Sequence, residues 1–112
     1  MDKPIDWRGS SLENLRAFPE FARRDAGYQL RKLQRGEMPD DWRPFVVVGP
    51  GTSEIRIASH DGWFRIMYVA KFEEAIYVLH CFRKSTRQTS SEDVQIAGKR
   101  YKALVADRKV RE

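Results

Sequence analysis

Three apolar segments set at hairpin spacing constrain this chain more than any other feature. Glu54-Ile55-Arg56-Ile57, Trp63-Phe64-Arg65-Ile66-Met67-Tyr68-Val69 and Ala75-Ile76-Tyr77-Val78-Leu79-His80-Cys81-Phe82 follow one another with only turn-sized gaps. All three are rich in β-branched and aromatic residues, and Gly62 and the Glu73-Glu74 pair mark the reversals. Connections this short cannot carry a chain across a sheet, so an antiparallel sheet is expected. Pleating sends successive side chains to opposite faces. Arg56, between two isoleucines, and Arg65, between Phe64 and Ile66, are therefore expected to face solvent, away from the apolar surface. The last strand runs directly into Arg83-Lys84-Ser85-Thr86-Arg87-Gln88-Thr89, which carries three cations, three hydroxyls and no acid. Cations whose direction is fixed by a pleat can grip a phosphate rather than merely solubilise a surface.

The flanking segments supply helices. Pro4-Ile5-Asp6-Trp7 reads as a short edge strand, where proline is tolerated. Ser10 to Glu13 has capping-box spacing, and Leu12, Leu15 and Phe18 then recur at helical intervals. Pro19 suits the first turn of a second helix reaching about Arg35. That helix would bury Ala22, Ala26, Leu30 and Leu33 and stop at Gly36. Residues 36–53 form a long connection in which Phe45-Val46-Val47-Val48 fits a strand or a buried loop segment. Thr89 to Glu92 repeats the capping spacing and opens a terminal helix with Val94, Ala97, Tyr101, Leu104 and Val105 inward. The expected order is β-α-α-β-β-β-α, an α+β fold forming a single domain over residues 1–112.

Charge is unevenly placed. Residues 1–82 hold 12 Lys/Arg and 12 Asp/Glu, so the net charge of +5 lies wholly in residues 83–112. A basic tail is commonly just a solvated helix face. Beside strand-borne arginines it becomes an electrostatic footprint for a polyanion, nucleic acid above all. The single cysteine, Cys81, sits in the most apolar strand, which argues against a disulfide framework and for a reducing, cytoplasmic home. The N-terminus lacks the apolar stretch of a signal peptide. No unbroken apolar run exceeds that of Ala75–Leu79, far too short to cross a membrane.

Few residues offer catalytic chemistry. No Cys/His/carboxylate cluster has metal-ligand spacing and no phosphate loop of P-loop type occurs, so no metal and no cofactor is expected. Gly49-Pro50-Gly51 reads as a turn. Cys81 is expected to be inert, and His60 exposed in a turn. His80 shares strand parity with Ile76, Val78 and Phe82, which fits a hydrogen-bonded core histidine. Trp63, Phe64 and Phe82 fit core or turn positions. What remains is Arg56, Arg65 and Lys84 as candidate catalytic cations, with Arg83 and Arg87 as RNA-binding neighbours. Cleavage of RNA by its own 2′-hydroxyl needs such a set. A proton must leave that hydroxyl, charge on the phosphorane must be stabilised, and the departing 5′-oxygen must be neutralised. Guanidinium forks stabilise charge, and a lysine crowded by cations gives up its proton more readily.

The strings Glu54–Ile57, Trp63–Phe72 and Ile76–Lys84 resemble the core of phage-derived HigB-type toxins, part of the RelE/ParE toxin–antitoxin superfamily. The likeness extends back through Trp7-Arg8-Gly9-Ser10-Ser11 and Leu15-Arg16-Ala17-Phe18-Pro19-Glu20, and forward to Ala97 and Arg100-Tyr101. The resemblance implies a RelE-like α+β fold with two N-terminal helices packed on a twisted antiparallel sheet, and a C-terminal helix. It implies a ribosome-dependent mRNA endoribonuclease that inhibits translation, restrained by a cognate helix-turn-helix antitoxin of HigA type. By position, Arg56, Arg65 and Lys84 match the basic residues of that pattern. The chain departs from it at Ser85, where a second lysine is common. Tyr101 lies too far along the terminal helix to match the C-terminal aromatic of RelE-like nucleases, so the general base is unassigned. Two other readings compete: a ParE-like poison of DNA gyrase, which needs no phosphate-centred cluster, and a non-catalytic RNA- or ribosome-binding module.

Overall fold

The computed structural model describes residues 2–111. The elements run β1 (Ile5–Trp7), α1 (Ser11–Arg16), α2 (Glu20–Gln34), β2 (Trp42–Pro44), β3 (Thr52–Ser59), β4 (Gly62–Val69), β5 (Ile76–Lys84) and α3 (Ser91–Arg111). The three central strands fall where their apolar alternation puts them and pair antiparallel, β3 with β4 and β4 with β5. One mixed α+β sheet results, in the order β1-β5-β4-β3-β2.

Two features of that sheet differ from expectation. β1 lies parallel to β5, with Ile5 opposite Ile76 and Trp7 opposite Val78, so the sheet is not purely antiparallel. The two strands are far apart in sequence, and a connection that long permits parallel pairing. A fifth strand, β2, also precedes the Phe45–Val48 segment and pairs with β3, giving β-α-α-β-β-β-β-α. Phe45–Val48 itself is a turn: Val46 and Val47 are exposed and only Val48 is buried.

Each face of the sheet carries its own core. On one, Ile55, Ile57, Phe64, Ile66, Ile76 and Val78 meet Leu15 and Phe18, together with Ala22, Ala26, Leu30 and Leu33 of α2. The helix α2 ends as Gly36 dictates. With φ +81°, Gly36 donates its N–H to the Leu33 carbonyl while Glu37 donates to Lys32, a complete Schellman motif. Pro19 stands one position before the first helical residue rather than inside the first turn. Ser10 makes no cap bond to α1, and its hydroxyl accepts from Arg100 instead.

On the other face, Met67, Val69, Tyr77, Leu79 and Phe82 meet α3. Only Ala97 and Leu104 of α3 are fully buried. Apolar contact alone therefore holds this helix weakly, a buried leucine contributing about 1.5–3 kcal/mol. Polar contacts add to it. Arg100 donates to the Leu79 carbonyl at 2.9 Å, Tyr101 donates to the Pro50 carbonyl at 2.7 Å, and Arg108 donates to Glu74 at 2.8 Å. The Arg108 contact, then a 2.7 Å hydrogen bond that the Tyr77 hydroxyl donates to the same carboxylate, hold the Glu74 carboxyl down at about 2. Tyr101 is thus fastened against the loop before β3, where Gly49 leaves room for its ring. The N-cap of α3 is Ser90, not Thr89: its hydroxyl accepts from the Asp93 N–H and donates to the Asp93 carboxylate. No helix among the described residues is long and apolar enough to cross a membrane.

Candidate functional site

Beyond the apolar contact with α3, the same sheet face becomes cationic. Arg56 and Arg65 are directly opposite each other on β3 and β4, and Arg65 is in turn opposite Phe82 on β5. In the next row Trp63 is opposite Lys84. Residues opposed in this way lie about 4.5–5.5 Å apart at Cα. Arg43 of β2 joins from the outer side, opposite Glu54.

Strict alternation along β5 would have put Lys84 on the wrong face, with Ile76 and Val78. A bulge prevents this. Met67 pairs with His80 whereas Tyr68 pairs with Val78, so Leu79 is an extra residue in the ladder. Leu79 and His80 consequently both turn toward α3, and Phe82 and Lys84 follow His80 onto the cationic face. His80 therefore does not share a face with Ile76 and Val78, as its position in the sequence implies.

The four cations are not equally available. Arg56 is half-buried and paired with Asp41, 2.9 Å from its carboxylate. Arg65 is only 7% exposed, so it is not the solvent-facing residue expected from its neighbours. It donates to the Phe64 carbonyl at 3.0 Å, its Nε has no hydrogen-bond partner, and Glu54 lies 3.9 Å away. Burial lowers the Arg65 pKa from its ordinary value, with Glu54 opposing the shift, and a guanidinium remains charged regardless. Lys84 is buried and has no ion-pair partner among the described residues. Its pKa is lowered, first by burial and then by the neighbouring Arg65, Arg43 and Arg56 charges, while Glu54 opposes them. Arg65 and Lys84 are the inner pair; Arg43 and Arg56 form the rim.

Glu54 is the residue that sequence reasoning passed over. It is completely buried, accepts a hydrogen bond from Arg43 at 2.8 Å, and keeps its second oxygen unpartnered. A buried carboxylate surrounded by cations holds them together against their mutual repulsion. Its parity with Arg56 marks its face, whereas nothing in the chain marks Arg43 as its partner.

The flanking basic residues divide. Arg83 lies on the opposite face from Lys84, its guanidinium 6.0 Å from the Phe64 ring centre and close over Gly62. Arg87 is exposed in the loop before α3. Both line an open cleft of about 770 Å³ that begins beside Lys84 and Trp63. Trp63 is 54% exposed, so it is not a core residue. Within α3, Arg100 and Arg108 are engaged by the contacts described above, leaving Lys99, Lys102 and Lys109 exposed.

His80 is buried, stacks on Phe82 at 4.9 Å, and bonds through Nε2 to the Asp93 carboxylate at 2.7 Å. Its Nδ1 faces the Arg100 guanidinium at 3.5 Å, which assigns an unprotonated Nδ1 and a neutral ring. Burial lowers its pKa, outweighing Asp93. It ties α3 to the bulge. His60 is exposed, and the Cys81 thiol is pushed up to about 12 by burial. No group of three His, Cys, Asp or Glu residues among those described is placed to hold a metal.

No curated protein matches the chain. Residues 13–102, most of its length, match the model of the family described as Phage derived protein Gp49-like (DUF891). With α2, all four strands of the antiparallel ladder and the cationic face inside the matched segment, the chain belongs to the Gp49-like phage-derived protein family.

Proposed function

We propose that this protein is the toxin of a type II toxin–antitoxin module. It acts as a ribosome-dependent endoribonuclease on mRNA, in the cytoplasm, and is restrained by a HigA-like helix-turn-helix antitoxin. The fold reading that goes with it is RelE-like. One observation carries the proposal: Arg56, Arg65 and Lys84, widely separated in the chain, share one sheet face in adjacent rows, with Lys84 placed there by the bulge at Leu79. Membership of a phage-derived family agrees with a mobile toxin gene.

The chemistry assigns each group a task. The 2′-oxygen forms a bond to phosphorus as its proton leaves. The bond from phosphorus to the 5′-oxygen breaks, and that oxygen is protonated, leaving a 2′,3′-cyclic phosphate and a 5′-hydroxyl. Arg65 and Arg56 take the phosphorane charge as fixed forks. Lys84, with its lowered pKa, is the proton carrier.

The test is a translation assay with purified protein beside a gyrase supercoiling assay. The expected result is loss of translation, cleaved mRNA with cyclic phosphate ends, and intact supercoiling. Arg56→Ala is expected to reduce cleavage by roughly 10²-fold, on the scale of losing one charge-stabilising donor. Arg56 is the appropriate probe because its side chain is half-buried at the rim, so its removal disturbs the core less than that of the buried Arg65. Inhibited gyrase with undamaged mRNA would overturn the proposal.

A further inference from the structure

The cleft beside Lys84 has a composition that the cleavage chemistry does not use. Trp63 forms one side with more than half of its surface exposed, directly opposite Lys84 in the β4–β5 ladder. Arg83, Arg87, Ser85 and Thr86 form the remainder, and no carboxylate lines it. The exposed indole here adjoins Arg83, Lys84 and Arg87, cations that repel one another in the absence of an anion. An aromatic face flanked by cations is how proteins hold single-stranded nucleic acid: the base stacks and the phosphates pair with the basic side chains.

The backbone keeps this arrangement open. Gly62, immediately before Trp63, has φ +131°, and an added Cβ there would stand 2.8 Å from Arg83 Nε. A glycine thus lets the Arg83 guanidinium cross the hairpin end and reach the cleft from the far face of the sheet. Trp63 and Arg65 are two residues apart on one face of β4, about 7 Å along the strand, close to the spacing of successive nucleotides.

We propose that this cleft is a nucleotide subsite next to the scissile phosphate, in which Trp63 stacks on one base of single-stranded RNA and Arg83 and Arg87 hold the flanking phosphates. The inference rests on the nuclease reading for its choice of RNA and makes Trp63 a determinant of where the strand is positioned. Because stacking accepts any base, the subsite fixes register more than sequence.

The test uses a fluorescent 2′-O-methyl RNA hexamer, which cannot undergo 2′-hydroxyl cleavage, with the full chain and binding read by anisotropy. A single abasic site is moved along the hexamer. Wild-type protein is expected to show one position at which the abasic site weakens binding between about five- and a hundredfold. Trp63→Thr, which keeps a good strand former, is expected to weaken the intact hexamer by a similar factor and to abolish that positional penalty. Trp63→Phe is expected to retain most of both. Wild-type protein that does not bind the hexamer, or a penalty that survives Trp63→Thr, would overturn the subsite. Trp63-dependent binding by a protein that leaves ribosomal mRNA uncut would instead sink the nuclease reading and leave the subsite standing.

Discussion

Glu54→Gln separates the electrostatic role of the buried carboxylate from its packing. The amide has nearly the same shape and keeps an acceptor for Arg43, while the charge is lost and the unpartnered oxygen becomes an NH2 group. The bond from Arg43, now 2.8 Å to a carboxylate, becomes a neutral-acceptor bond and loses about 1 kcal/mol. Arg43 is half-exposed, and solvent screening reduces that loss further. Arg65 matters more, because it is buried and Glu54 is the carboxylate within 4 Å of it. Stranding a buried charge costs about 3–5 kcal/mol, and Arg65 retains its bond to the Phe64 carbonyl, so about half of that is expected. Together these give a destabilisation of roughly 2–3 kcal/mol and a Tm lower by about 10–15 °C. Activity should respond in a way that destabilisation alone cannot produce. Glu54 supports the protonated form of Lys84, so removing its charge lowers the Lys84 pKa further. If Lys84 acts as the base, the alkaline-rising limb of the cleavage rate must move to lower pH. Single-turnover rates across pH, measured well below the variant's Tm, read this directly. A limb that stays in place or moves to higher pH would refute the reasoning, as would a Tm close to wild type.

Lys84→Met removes a buried cation that lacks a carboxylate partner, and is expected to abolish cleavage while raising stability by about 1 kcal/mol in thermal or urea melts. A destabilised Lys84→Met would mean that the ammonium holds the fold together rather than serving the reaction. His80 supplies a pH dependence of stability. Its folded pKa lies below the ordinary value of 6.5, so the unfolded chain takes up the proton first. Stability from the neutral ring is therefore complete above about pH 6.5 and is lost as pH falls toward the folded pKa. His80→Gln should flatten that part of a Tm-against-pH curve, and an unchanged slope would place its origin elsewhere. Gly62→Ala forces a left-handed φ on an L side chain and pushes Arg83 aside. It is expected to cost about 1–2 kcal/mol in urea denaturation, and a melt matching wild type would mean the turn has relaxed.

What the chain declared in advance was local. The strands around Ile57, Ile66 and Val78 carry their own period, and α2 carries both its apolar stripe and its Gly36 stop, so these elements needed no tertiary information. β2 had no such signal. Trp42-Arg43-Pro44 is too short to show a period and contains a proline. It is a strand only because β3 offers an edge, on which Arg43 meets Glu54. Thr89 and Ser90 are both competent caps. The choice of Ser90 depends on Asp93, which also holds His80, and so on where β5 places that ring. Alternation gives the face of Arg65 but not its depth, because it fixes direction and not what stands beside the side chain. The bulge matters most. A period of two carried through β5 puts Lys84 with Ile76 and Val78 against the N-terminal helices, and the cationic group then never forms. One additional residue, Leu79, reverses the parity of everything after it. Leu79 is itself an ordinary apolar strand residue, fully buried against α3, so its composition gives no warning. The candidate site thus depends on a local violation of the pattern that makes the rest of the sheet legible. Strand periodicity is a packing rule, and the bulge departs from it at the point where Lys84 has to be turned onto the face of Arg56 and Arg65 instead of into the core.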